Sequence, residues 1–353
     1  MPSSSNKFYI WNLRLKPNPE LIAWNPPEMS QAFEGGDCGE YFCKVFEFVQ
    51  QSLEVENLVF YFTRDIDRLP SYGENVVAIV IGDEWSRIPS YFHKVRAIFK
   101  CYGIRSVAGC NLFPPSYLDF LTLSQFIRTK IINSPRWINY SIYQLKNGKN
   151  PPIYDIPLGY SNQIDLPIKP MSERNCDVFF AGSVVHRPHP KWSLKYWLET
   201  PKSLSRKQML ANIHQIKRDR PEIQLDLFTT PGFINSYDPR TSSDAKSYSA
   251  RMMNAKICLV PRGTSFETFR FFEAMRYGCL IITESLPSSW FYCGSPAFQV
   301  SNWHEMKAVL DAVLDDRQLL ERKHQATLHW WKDKCSETAV GEYIAEKIKN
   351  GTE

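Results

Sequence analysis

Two hydrophobic periods alternate along this chain, and that alternation limits its fold more than any other feature. The runs "FYIWNL" (8–13), "NLVFYFT" (57–63) and "NVVAIVIGD" (75–83) are short, apolar and rich in aromatic and β-branched residues, as buried strands are. Between the first two, Tyr41, Phe42, Val45, Phe46, Val49 and Leu53 recur at helical spacing, which predicts an amphipathic helix over 38–53. A second helix is expected over 89–101. Strands separated by helices pair in parallel and need cover on both faces. The alternation restarts with "CDVFFAGS" (176–183), "IQLDLFTT" (223–230), "KICLVP" (256–261) and "CLIITE" (279–284), with helical stretches near 202–220 and 241–254. Residues 146–170 between the two series hold five prolines and no periodicity, the composition of a semi-rigid connection. The expected organisation is an α/β domain over 1–150, a Pro-rich linker over 151–175, a second α/β domain over 176–302 and helices over 303–353.

A length of 353 residues suits about two domains. The composition, 43% hydrophobic and 22% charged, is that of a packed globular protein. Lys and Arg are scattered and the net charge is +5, so a polyanionic ligand or an acidic membrane surface fits, while nucleic-acid binding is not indicated. No secretory leader pattern and no apolar run of about 18 residues is present, so a cytoplasmic setting is expected, with peripheral contact at the inner membrane surface compatible with it. Nine cysteines without a CxxC pair are expected to be free thiols.

In an open parallel sheet, ligands sit beyond the carboxyl ends of the strands. There, "CLVPRGTSFETFRFFEAMRYGCLIITES" (258–285) runs from an apolar strand into Arg262 and Gly263. Thr264 and Glu267 have the spacing of a capping box, which predicts a helix from Ser265 to about 277, stopped by Gly278. Gly263 would let backbone approach a ligand, and the first helix amides and the Arg262 guanidinium suit an anion. A purely structural reading stands beside this one: Glu267 completes a cap, and Arg270 pairs with Glu267 or Glu273 along the helix.

This stretch resembles the hallmark of the exostosin-type glycosyltransferases, family 47 and its bacterial relatives. "CDVFFAGSVVHRPHP" and "DIPLGY" resemble the first strand with its phosphate-side loop, and the segment leading into the donor domain. The resemblance covers roughly residues 153–300 and is most specific over 258–283. It implies a GT-B fold: two Rossmann-like domains with parallel sheets facing a central cleft and a helical C-terminal segment. It implies an inverting transfer from a nucleoside diphosphate sugar, UDP-linked, to a glycan or glycolipid hydroxyl, with no metal cofactor. Arg262 and Arg270 would face the diphosphate, Glu273 the ribose, and Arg187 would add a further charge. His186, Gly182, Gly263, Thr264 and Ser265 complete the expected donor site.

The first half offers three base candidates, and the sequence does not choose among them. Asp37 lies in "FEGGDCGEYF" and fits either a general base or an N-cap for the 38–53 helix; Asp83 and Glu84 end an apolar strand. Asp65 and Asp67, in "TRDIDRLP", have the Asp-x-Asp spacing that holds manganese in other glycosyltransferases, although Arg64 and Arg68 flank them. They define an alternative, metal-dependent enzyme. A catalytically silent scaffold that binds nucleotide or glycan is the other alternative.

Overall fold

The computed structural model describes residues 6–28, 39–111, 113, 115–161, 163–184, 199–230 and 242–350. Its first sheet has the order β2-β1-β3-β4-β5-β6, from β1 (Lys7–Trp11), β2 (Leu21–Ala23), β3 (Val59–Thr63), β4 (Gly73–Val80), β5 (Val95–Lys100) and β6 (Ile153–Asp155). Neighbours are parallel except β1 and β2. Helix α1 (Gly39–Ser52) packs Tyr41, Phe42, Val45, Phe46 and Val49 into the core that holds Phe60, Phe62, Val77, Ile79 and Phe99. Val76, Ala78, Val80 and Ile98 point the other way, toward Trp137 and Tyr140 of the long helix α2 (Tyr117–Asn147).

The helix expected over 89–101 is not there. A turn leads instead into β5, whose Val95, Ala97, Ile98 and Phe99 are buried on both faces of the sheet. A strand covered on both sides loses its alternation, and its apolar run then imitates a helical segment.

The second sheet is wholly parallel, in the order β11-β10-β9-β7-β8: β7 (Cys176–Ser183), β8 (Leu225–Thr230), β9 (Ala255–Val260), β10 (Leu280–Thr283) and β11 (Phe298–Gln299). After β7 the chain adds β8 on one side and then crosses to β9 on the other. The β7–β9 junction is therefore the topological switch point, where the connections diverge and leave a crevice. Helices α3 (Pro201–Asp219), α4 (Ser242–Met253) and α5 (Phe269–Arg276) connect these strands.

Helices α6 (Met306–Leu314), α7 (Arg317–Trp330) and α8 (Glu337–Asn350) end the described chain. α8 returns to the first half, placing Val340, Ile344 and Ile348 in the core that contains α1. The Tyr41 hydroxyl donates to the Cys335 carbonyl at 2.8 Å and the Arg96 guanidinium to the Ile348 carbonyl at 3.0 Å, so the C-terminal segment straps the halves together. The result is the α/β architecture expected above, two parallel-sheet Rossmann-like units with C-terminal helices. The eight described cysteines are free thiols.

Candidate functional site

Three cations converge on the switch point. Arg206, on α3, donates to the Ser183 carbonyl at 2.5 Å and to the Arg262 carbonyl at 3.2 Å, tying the ends of β7 and β9 together. Arg270, in the first turn of α5, lays its guanidinium over the Phe180 ring, 4.9 Å from the centroid. It also fills the space above Gly182: a Cβ there would lie 2.4 Å from Nη2. Glycine at 182 is what admits the arginine. Lys202 belongs to the first turn of α3, where it lies within reach of the charges of Arg206 and Arg270.

The electrostatics of this group are unfavourable without an anion. Burial first, and then the charge of Arg270, lower the proton affinity of Arg206. Burial and then Arg206 lower that of Lys202. The nearby negative charges are Glu284, beneath the site, and Glu84, which reaches it from the first half and favours both cations. Glu284 accepts from the Ser205 hydroxyl at 2.6 Å and from the Arg262 amide at 2.8 Å. Like charges held close in a partly desolvated crevice repel one another, and a bound diphosphate would relieve that repulsion.

Arg262 is 3% exposed, and its guanidinium crosses to the first half. It donates to Thr122 Oγ1 at 3.0 Å and to Gln125 Oε1 at 3.2 Å, both on α2, and lies 4.1 Å from the Phe266 centroid. Gln125 in turn donates to the Thr264 carbonyl at 2.9 Å. The loop after β9 is thus stitched to α2. At Gly263 a Cβ would make only ordinary contacts, the nearest at 3.5 Å, so packing gives no reason for a glycine there.

The capping box is corrected. The helix begins at Phe269 with Thr268 as N-cap, and Thr264 and Ser265 lie in the loop before it. Ser265 Oγ accepts from the Glu267 amide at 3.3 Å, a local turn that competes with a helical start. Phe266 is buried under Arg262, and Glu267 is 3% exposed beside Asp155 and Tyr292. A capping interaction contributes about 1 kcal/mol, less than burying a phenylalanine, so the burial wins. Gly278 does end the helix, at φ 68°.

Glu273 is buried, and its carboxylate accepts from the Ser161 amide at 3.1 Å and the Tyr248 hydroxyl at 2.6 Å. Its main-chain carbonyl accepts from Gln163 at 2.6 Å. This glutamate fixes the segment that enters the second half.

The two described base candidates, Asp83 and Glu84, have different surroundings. Asp83 is 3% exposed, 3.1 Å from Lys100 Nζ and 2.8 Å from Arg87 Nε, and it accepts from the Arg87 amide. Burial alone would push its carboxyl up, but Lys100 and then Arg87 outweigh that and hold it below the usual range. Asp83 is a strut. Glu84 is partly exposed and lines a crevice together with Arg262, Ser265 and Glu267. Asp37, like His186 and Arg187, lies outside the described residues.

Asp65 and Asp67 build a turn. Asp65 accepts from Asn12 at 2.8 Å and from the amides of Asp67 and Arg68, while Asp67 pairs with Arg136 at 2.6 Å. Among the described residues no group of three His, Cys, Asp or Glu side chains could hold a metal ion.

Sequence reasoning missed Lys202 and Arg206. A signal was available, because a lysine in the first turn of a helix opposes the macrodipole and calls for another reason to be there.

No family model and no curated protein matches the sequence. Among solved structures, the chain is similar to a GtfA/B complex (14% identity, TM-score 0.43) and to the pneumococcal O-GlcNAc transferase GtfA in complex with UDP and GlcNAc (10%, 0.42). Both matches cover 80% of this chain, which spans 58% of the length of those proteins. It is also similar to sucrose-phosphate synthase from Thermosynechococcus elongatus (11%, 0.41), over 89% of this chain and 93% of that one.

Proposed function

We propose that the chain is a glycosyltransferase that moves a sugar from a nucleoside diphosphate donor, UDP-linked, to a hydroxyl of a glycan or glycolipid, with inversion and without a bound metal. The observation that carries this reading is the meeting of Arg206, Arg270 and Lys202 at the β7–β9 switch point, where their charges oppose one another. The resemblance over 258–283 supports it.

In this reading the diphosphate lies between Ser183 and Gly263, whose missing side chain leaves room that packing does not use. Arg262 acts chiefly by position, holding the Gly263 turn against α2. Glu273 is the residue that meets the ribose, as the resemblance implies, and the contacts from Ser161 and Tyr248 fix its orientation. The resemblance adds His186 and Arg187, which lie outside the described residues, to the donor-side set.

Glu84 takes the proton of the acceptor hydroxyl. The oxygen attacks the anomeric carbon from the face opposite the donor bond. That bond breaks with its electron pair passing to the phosphate oxygen, and the charge gained there falls on the arginines and the lysine. Cations fixed in a desolvated site do what a divalent ion does in other transferases.

Calorimetry with UDP in EDTA tests the reading. Binding is expected for the native chain and is expected to be lost in Arg270→Ala. Turnover of UDP-sugars that vanishes in EDTA and returns with manganese would restore the role of Asp65 and Asp67. UDP binding with no turnover across donors and acceptors would make the protein a scaffold.

A further inference from the structure

Helix α2 carries its apolar side outward. Its buried residues are Thr122, Thr129, Asn133 and Tyr140, whereas Tyr117, Phe120, Ile127, Ile131, Ile138, Ile142 and Leu145 are exposed. These seven follow steps of three, four and seven, which places them along one stripe of the helix, with Ile132, 54% exposed, beside it. Ile131 is 66% and Leu145 86% exposed, and Phe113, just before the helix, is 93% exposed. A helix of 31 residues is about 46 Å long, so the stripe is far more than a scattered surface leucine. The polar inner face is tied to the rest of the protein: Asn133 donates to the Trp85 carbonyl, Thr129 to the Gln125 carbonyl, and Thr122 accepts from Arg262. Even Pro135 is accommodated, since the Ile131 carbonyl that it deprives of a partner accepts from the Ser134 hydroxyl at 2.8 Å.

The charge says what covers the stripe. From Phe120 to Asn150 there is no Asp or Glu, and there are five cations: Arg128, Lys130, Arg136, Lys146 and Lys149. That equals the formal net charge of the whole chain, +5, so the remaining residues balance. Arg128, Lys130, Lys146 and Lys149 are exposed, while Arg136 is paired with Asp67. A second copy would bring the same cations and no acid to pair them, so self-association along this face is opposed. No described helix is long and apolar enough to cross a membrane. From Phe120 onward, beyond the capping Asp119, the stripe is edged only by cations, which suits an anionic bilayer surface, with the aromatic and aliphatic side chains in the headgroup region and the lysines on lipid phosphates.

We propose that the exposed face of α2 docks the protein on an anionic lipid surface. The inference is independent of the transfer reaction. It also bears on geometry, because Thr122 and Gln125 of the same helix hold the Arg262 loop, and docking would set the crevice beside the lipid headgroups.

Vesicle flotation of the full chain tests it, using phosphatidylcholine with and without phosphatidylglycerol. The expected result is binding that requires phosphatidylglycerol, weakens with salt and falls about tenfold or more in Ile131→Ser/Ile138→Ser, whose unfolding temperature stays unchanged because both side chains are exposed. Lys146→Gln/Lys149→Gln, which leaves the stripe intact, should weaken binding as well. Failure to float with phosphatidylglycerol vesicles, or equal flotation of the native and both double variants, would overturn the proposal. So would a native dimer that becomes a monomer in Ile131→Ser/Ile138→Ser, since the stripe would then be an interface between copies.

Discussion

The guanidinium of Arg270 occupies the space that any side chain at Gly182 would need, 2.4 Å from the position of the absent Cβ. The end of one strand thus sets the aim of an arginine on another connection. Gly182→Ala should push Arg270 off the Phe180 ring while leaving its charge in the protein. Losing one charge-assisted hydrogen bond costs about 1.5–3 kcal/mol, so UDP affinity should fall about tenfold or more. Calorimetry checks this, and Gly263→Ala is the companion: with ordinary contacts around it in the protein, its effect on UDP binding reports the ligand's approach alone.

Arg206 differs from Arg270 because it also joins the two strand ends, through the carbonyls of Ser183 and Arg262. Arg206→Lys keeps the charge but loses the fork that spans both carbonyls. We expect turnover to drop by about 10²–10³, the usual effect of removing one donor to a developing anion. The thermal stability gained on adding UDP should shrink in parallel.

How far the sequence disclosed this molecule depended on how each segment is buried. β4 and β7 were legible because their apolar runs are short and bounded by turn residues. β5 was not, because "VRAIFK" is buried on both faces and its period vanished. α2 went unread because its apolar residues face outward and its inner face is polar, the reverse of the pattern by which a helix is recognised. The loop after Arg262 was located from its strand and glycine, yet the helix start predicted within it was wrong. Phe266 and Glu267 gain more from the core than Thr264 gains from a cap, and no local spacing reveals a tertiary competition of that kind.

Glu84 and Asp83 are adjacent in sequence and differ in surroundings, Glu84 partly exposed and Asp83 buried between Lys100 and Arg87. Glu84→Gln should lower turnover by about 10²–10⁴, the range for a lost general base, while UDP affinity holds or rises because a negative charge near Lys202 and Arg206 has gone. Asp83→Asn instead leaves Lys100, fully buried, without its carboxylate. Breaking a buried pair from one side costs about 3–5 kcal/mol, so denaturant unfolding should show the loss. Steady-state kinetics and urea melts on the two variants distinguish the roles.

Glu267 gives the fold a pH dependence with a definite sign. Burial, and then the neighbouring Asp155, push its carboxyl up to about 8, whereas an unfolded glutamate titrates near 4.5. Between those values the folded chain holds a proton that the unfolded chain has released. Stability is therefore fully present below about pH 4.5 and falls as pH rises toward 8, by up to about 1.4 kcal/mol per pH unit from this group. Glu267→Gln keeps the shape and carries no proton to lose. Unfolding temperatures measured from pH 5 to pH 9 should decline less for the variant than for the native chain, and the two slopes should become equal above about pH 8, where native Glu267 is ionised in both states. Parallel curves over the whole range would mean that Glu267 does not take up the proton on folding.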